Sequence, residues 1–252
     1  MSAVLRLDNV CKKFGGVTAA KNISLSLSKG EICGLIGPNG AGKTTMMNLI
    51  SGIYDVDSGS IMFDNKDVTK MPAYMRARMG IGRTFQTPRF MHRSSIKDNL
   101  MMGTDLRDQI GYFSSFLGTA GTSFNNELSK LLELAGFTLD WEEDVMSIPF
   151  GKRKMLEIIR SILANPKVML VDEPAAGLTT QEIENARNLL TYASKEKGIG
   201  VLFIEHQMDL VMGTCENINV LAFGEIIASG KPKEISSNPL VLEAYLGRDF
   251  NA

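Results

Sequence analysis

Apolar and polar positions alternate along the first thirty residues of the chain. Val4, Leu5, Leu7 and Val10 are interleaved with Arg6, Asp8 and Asn9, and Ile23, Leu25 and Leu27 recur at every second position. A period of two buries one face and exposes the other, which predicts half-buried strands. Residues 31–36 then run almost continuously apolar into a glycine-rich turn, and residues 44–50 have the length and spacing of a helix. A helix is predicted from about Phe150 to Leu163, stopped by Asn165-Pro166 and followed by the buried run Val168, Met169, Leu170, Val171. Thr179 and Glu182 have capping-box spacing ahead of Ile183, Ala186, Leu189, Leu190 and Ala193, and Gly198 suits the end of that helix. Residues 200–204 form a third buried run, and residues 218–223 and 225–229 flank Gly224 as a hairpin. Buried strands alternating with helices predict an α/β fold with a parallel sheet covered on both faces.

The middle of the chain breaks this rhythm. Leu128, Leu131, Leu132 and Ala135 make one helical face with no buried strand nearby, so residues 88–154 are read as a helical insertion into a core built from 1–87 and 155–252. Within it, residues 104–126 carry no assignable pattern.

Composition narrows the classes. The chain has 252 residues, with 27 Lys and Arg against 28 Asp and Glu, a net charge of −1 that lacks the basic excess of a nucleic-acid-binding face. At 44% hydrophobic and 22% charged it is a globular composition, and no apolar run approaches the roughly 20 residues that cross a bilayer. Residues 1–8 lack a basic stretch followed by an apolar one, so no secretory signal is expected. Cys11, Cys33 and Cys215 are odd in number and far apart, which predicts reduced core residues rather than disulfides or metal ligands.

Candidate chemistry gathers at the ends of the buried runs. Gly37, Pro38, Asn39, Gly40, Ala41, Gly42, Lys43 and Thr44 fit G-x-x-x-x-G-K-[ST], the phosphate-binding loop, between a buried run and a helix as that motif requires. Its glycines let the backbone curl so that several N–H groups face one hollow, at the positive end of the following helix. Lys43 is then expected at the β- and γ-phosphates of a nucleotide, Thr44 at Mg²⁺ and Thr45 near the α-phosphate. Asp172 and Glu173 close the second run, placing one carboxylate for a magnesium shell and one to orient and deprotonate water, unless they are two acids at an ordinary strand end. His206 closes the third run, as a γ-phosphate partner or as a structural hydrogen-bonder.

In this order the motifs resemble the ATP-binding cassette (ABC) ATPases over nearly the whole chain. The resemblance implies a phosphate-loop, RecA-like parallel-sheet core with an N-terminal antiparallel β subdomain and an inserted α-helical subdomain. It implies that Phe14 stacks on adenine, that Gln86 joins Thr44 and Asp172 around Mg²⁺, and that Glu173, His206 and Lys43 are catalytic. It further implies that Ile148, Pro149, Phe150, Gly151 and Lys152 form a signature segment meeting the ATP of a partner subunit in a head-to-tail dimer. Two places depart from the general pattern. Pro149 stands where a serine hydroxyl is usual, and it lacks an N–H as well. Thr179 stands where many members carry Asp.

The Pro-aromatic-Gly signature, the Arg83-Thr84-Phe85-Gln86-Thr87 context, Ile204-Glu205-His206-Gln207-Met208 and the closing Glu243-Ala244-Tyr245-Leu246-Gly247 are similar to the branched-chain amino-acid uptake ATPases. That branch implies a cytoplasmic subunit peripheral to the inner face of the membrane. Its partners would be integral permease subunits, a second ABC ATPase subunit and, indirectly, a periplasmic or extracellular substrate-binding protein, with no nucleic acid. Lipopolysaccharide-export ATPases share the core and a comparable tail, and a weakly hydrolysing nucleotide switch is the reading that Pro149 suggests. Arg76, Arg78, Arg83 and Arg89 read as a solvated basic surface or a permease contact, and Tyr112, Phe113 and Phe116 as packing or a patch that a permease covers. The 15 methionines read as packing residues.

Overall fold

The computed structural model describes residues 3–105, 120–138, 140 and 143–246; Tyr112, Phe113 and Phe116 lie outside them. The first half holds β1 (Ala3–Phe14), β2 (Val17–Ser28), β3 (Ile32–Ile36), α1 (Lys43–Ser51), β4 (Ser58–Phe63), β5 (Lys66–Asp67), α2 (Ala73–Met79) and β6 (Ile81–Arg83). Helices α3 (Ile96–Asp105), α4 (Ala120–Ala135) and α5 (Phe150–Leu163) follow, with no named strand between β6 and α5 among the described residues. Then come β7 (Val168–Asp172), α6 (Thr180–Lys195), β8 (Gly200–Ile204), α7 (Met208–Thr214), β9 (Asn217–Ala222), β10 (Glu225–Gly230), α8 (Pro232–Ser236) and α9 (Pro239–Leu246).

The alternating N-terminal segments pair antiparallel, Leu5 opposite Leu27 and Leu7 opposite Leu25, in a four-stranded sheet ordered β2-β1-β4-β5. The continuous apolar runs become the centre of a six-stranded sheet ordered β10-β9-β3-β8-β7-β6. Every residue of β3, β7 and β8 is buried, because layers cover both faces. Met169, Val171, Val201 and Phe203 point to a core shared with Leu156 and Ile159 of α5 and Leu189 of α6. Their neighbours Leu170, Leu202 and Ile204 point the other way, to a core with Leu5 and Leu7 of β1 and Met46 of α1. All sheet neighbours from β9 to β6 are parallel, and the expected hairpin adds β10 as an antiparallel edge.

Three expectations change. Cys33 and Cys215 are buried, whereas Cys11 is only half-buried, its thiol 3.1 Å from Asn22 Oδ1. Arg76 is no surface residue: it is 1% exposed and caps the end of α1, its Nη1 donating to Leu49 O (2.6 Å) and Ile50 O (2.9 Å). Arg83 is also turned inward, as described below. The methionines divide: Met46, Met47, Met155 and Met169 fill cores, while Met75, Met91, Met101, Met102 and Met146 are exposed.

Candidate nucleotide site

The loop between β3 and α1 is shaped by close backbone approaches. Gly37 has φ of 151°, and a Cβ there would lie 1.9 Å from Leu221 O; at Gly42, φ 109°, it would lie 2.4 Å from Ala19 O. No L-residue fits either place. The loop curls over Lys43, which is 7% exposed and donates from Nζ to Gly37 O (2.7 Å) and Pro38 O (2.9 Å). Burial lowers the Lys43 pKa, opposed by Glu173 and Asp172. Gly42 offers α1 no side-chain cap and the first turn holds no acid, so the positive end of the helix is not neutralised there. Asn39, Gly40 and Thr44 are exposed, Pro38 and Thr45 half-buried and Ala41 buried.

Parallel register brings the carboxylates to the same end. Asp172 pairs with Ile204, so β7 and β8 finish side by side and deliver Asp172-Glu173 beside Glu205-His206. Glu173 leaves the strand in the left-handed region, φ 47°, with its N–H on Ile204 O at 2.9 Å. Its Oε2 accepts from Gln86 Nε2 at 2.6 Å, and its Oε1 lies 3.0 Å from His206 Nε2. Asp172 is 8% exposed; burial raises its pKa, and Arg83, with Nη2 3.6 Å from Oδ2, is the strongest opposing charge. Arg83 in turn donates to Asn48 Oδ1 (2.7 Å) and Ser51 Oγ (3.0 Å) of α1, tying the loop's helix to the carboxylate strand.

The remaining expected residues lie at the edges. Phe14 is 43% exposed at the end of β1, with Tyr54 edge-on at 5.2 Å between ring centroids. Ile148 is buried, Pro149 begins α5 without a side-chain cap, and Phe150 is partly exposed. A Cβ on Gly151 would lie 2.1 Å from Glu182 Oε1, so a side chain there would have to displace the Glu182 carboxylate that closes the capping box of α6. Lys152 reaches over the Phe137 ring at 5.5 Å. Among the described residues no hydrogen bond joins 148–152 to 37–45. Thr179 replaces Asp without loss of a cap: it accepts from Glu182 N–H in a complete capping box.

Sequence reasoning missed four groups. Thr84, 3% exposed, accepts the Asp172 N–H at 3.4 Å through Oγ1. Glu205, 2% exposed, accepts the amides of Ala175, His206 and Gln207 and so braces both strand ends. Lys154 donates to Glu173 O at 2.7 Å, and Glu157 is buried on the same helix. Their signal was present: Lys154 and Glu157 are charges on the buried face of an amphipathic helix, where apolar residues belong.

The strand–loop–helix at Lys43, with acids delivered by the next parallel strands, defines an α/β protein of the phosphate-loop class. The ABC transporter family model matches residues 20–176, more than half of the chain, and the chain belongs to that family of ATPases. The C-terminal model of the branched-chain amino acid ATP-binding cassette transporters matches residues 225–251. The high-affinity branched-chain amino acid transport ATP-binding protein LivG of Salmonella typhimurium is 35% identical over 97% of this chain and 98% of its own length. The lipopolysaccharide export system ATP-binding protein LptB of Escherichia coli is 34% identical over 98% and 99%. Among solved structures, the ADP conformation of an ABC transporter's ATP-binding cassette superposes with a TM-score of 0.82 at 32% identity, covering 98% of this chain and all of that one. No described helix is long and apolar enough to cross a membrane.

Proposed function

We propose that this chain is the ATP-hydrolysing subunit of an importer of branched-chain amino acids, acting through separate membrane permeases and a second ATPase subunit. The observation that carries the cargo is the match of residues 225–251 to the branched-chain family, in addition to the full-length likeness to LivG. On this reading the amides of 37–45 and Lys43 hold the phosphates, Phe14 meets the adenine, and residues 148–152 face the partner's nucleotide. Thr44, Gln86 and Asp172 supply a hydroxyl, an amide and a carboxylate, the hard oxygen donors that suit Mg²⁺. When bound, that ion neutralises charge across the β- and γ-phosphates. Glu173 orients and deprotonates the attacking water, and His206, 3.0 Å from it, contacts the γ-phosphate.

The near-equal likeness to LptB favours one alternative cargo, lipopolysaccharide. Vesicles holding the chain, its permeases and internal MgATP distinguish the two. Leucine accumulation that disappears in Glu173→Gln supports import. ATP-dependent release of lipopolysaccharide without leucine uptake replaces it. Undiminished hydrolysis by Glu173→Gln would remove the assignment of that residue.

A further inference from the structure

Helix α5 buries two charged side chains three residues apart, Lys154 and Glu157, each 3% exposed. Residues at that spacing share a helix face, and a buried charge is costly unless its partners satisfy it. The partners here are functional ones. Lys154 Nζ donates to the main-chain oxygen of Glu173 at 2.7 Å. Glu157 Oε1 accepts the Phe85 amide at 3.4 Å, and its carboxylate also receives the Arg89 amide. These amides flank Gln86, whose side-chain Nε2 is 2.6 Å from Glu173 Oε2. Arg160, one turn on, has Nη2 3.9 Å from Glu157 Oε1 and its guanidinium 4.8 Å from the Phe90 ring centroid. One helix therefore holds the Glu173 carbonyl and the amides on either side of Gln86. It is also the helix that starts at Pro149.

We propose that Lys154 and Glu157 are positioning residues for ATP hydrolysis, which carry the placement of the signature end of α5 to the Gln86–Glu173 contact. The inference rests on the reading of Glu173 as the group that activates water. Neither residue touches nucleotide on this account; Lys154 acts through the backbone of Glu173, and Glu157 through backbone amides on either side of Gln86.

The arrangement has a pH signature. Burial pushes the Glu157 carboxyl up to about 7, opposed by Arg160, the Phe85 and Arg89 amides and Lys154. Lys154 in turn faces Glu205, Glu173 and Asp172 as well as Glu157. A protonated carboxyl accepts the two amides less well, so the hold on Gln86 loosens as pH falls through about 7.

The test is MgATP turnover per nucleotide-binding site by the full chain assembled with its permeases. It compares wild type, Glu157→Gln, Lys154→Met, Lys154→Arg and Glu173→Gln between pH 6 and 8.5, with ATP affinity measured in parallel. Glu157→Gln and Lys154→Met are expected to lose at least about tenfold in turnover per site at pH 8 with ATP affinity within about twofold. Lys154→Arg, which still donates, should recover part of that loss. Glu157→Gln should also show a shallower fall between pH 8 and 6.5 than wild type. Wild-type turnover per site in both neutral variants, alongside an inactive Glu173→Gln, overturns this inference alone. Parallel loss of ATP affinity and turnover makes the pair merely structural and overturns it too. Undiminished turnover in Glu173→Gln overturns the site reading beneath it.

Discussion

Arg76 is the buried cation whose removal has the most calculable cost. Its guanidinium donates from Nη1 to Leu49 O and Ile50 O, from Nε to Met71 O at 2.8 Å and from Nη2 to Thr69 O at 2.9 Å. It thus ties the last turn of α1, whose first residue is Lys43, to the segment before α2. In Arg76→Met the aliphatic volume is largely kept and the donors vanish. Leu49 O retains the Gly52 N–H at 3.2 Å, and the contacts at Met71 and Thr69 are only part-buried, so water can replace them. Ile50 O is left in a buried place, at about 1–3 kcal/mol, and each lost charge-assisted bond removes a further fraction of about 1.5–3 kcal/mol. Against this, the variant is spared the burial of a guanidinium, which lowers the Arg76 pKa in the wild type. The net expectation is a loss of about 2–4 kcal/mol, below the sum of the lost bonds because that relief offsets part of it. For a chain of this size that corresponds to a fall in Tm of about 4–16 °C. Urea denaturation of wild type, Arg76→Met and the exposed control Arg78→Met checks it, the control being expected within about 0.5 kcal/mol. A loss below about 1 kcal/mol in Arg76→Met would refute the argument that this arginine caps α1.

Gly37→Ala should reduce ATP affinity by at least about a hundredfold, because a Cβ 1.9 Å from Leu221 O forces the loop backbone to move; equilibrium binding of a fluorescent nucleotide reads it. Stability should fall as pH rises from 4.5 to about 7, since the folded state keeps a proton on Glu157 that the unfolded chain releases. That interval, at about 1.36 kcal/mol per pH unit, amounts to about 3 kcal/mol, and denaturant titrations of Glu157→Gln should lack most of it. Thr179→Ala should cost about 1 kcal/mol by breaking the capping box of α6. Pro149→Ser should gain about 1 kcal/mol by giving α5 a side-chain cap it lacks, and an unchanged denaturation midpoint would count against that.

The strands with the strongest signal were legible for a physical reason. Residues 168–171 and 200–204 lie between two covering layers and carry no polar position, so their pattern could only be a buried strand or part of a buried helix, and their length decided it. The Phe150–Leu163 helix and the Thr179–Glu182 cap were found because periodicity and cap chemistry are local. What escaped was short or set by distant partners. β6 has three residues and β5 two, too few for any period. The inward turn of Arg76 and Arg83 depends on carbonyls, an amide and a carboxylate supplied by α1 and β7, far away in the chain. Of the candidate site, the phosphate loop and acids announced themselves by motif, whereas Thr84 and Glu205 act on backbone groups and leave no spacing to recognise.

Glu173 joins these threads. A left-handed backbone at a glutamate costs on the order of 1–3 kcal/mol, and it persists only where neighbours over-determine it. Here the N–H is fixed by Ile204, the carbonyl by Lys154, one carboxylate oxygen by Gln86 and the other is met by His206. These four groups come from β8, α5, the segment after β6 and the segment after β8. A residue that merely ended a strand would need none of them. Glycine at 173 would relieve the backbone and lose the carboxylate, so the strain is tolerated for the sake of that side chain. Because the restraints come from separate segments, a displacement of any one of them is felt at the carboxylate. On the proposed reading of Glu173 as the group that activates water, hydrolysis waits until those segments are in place.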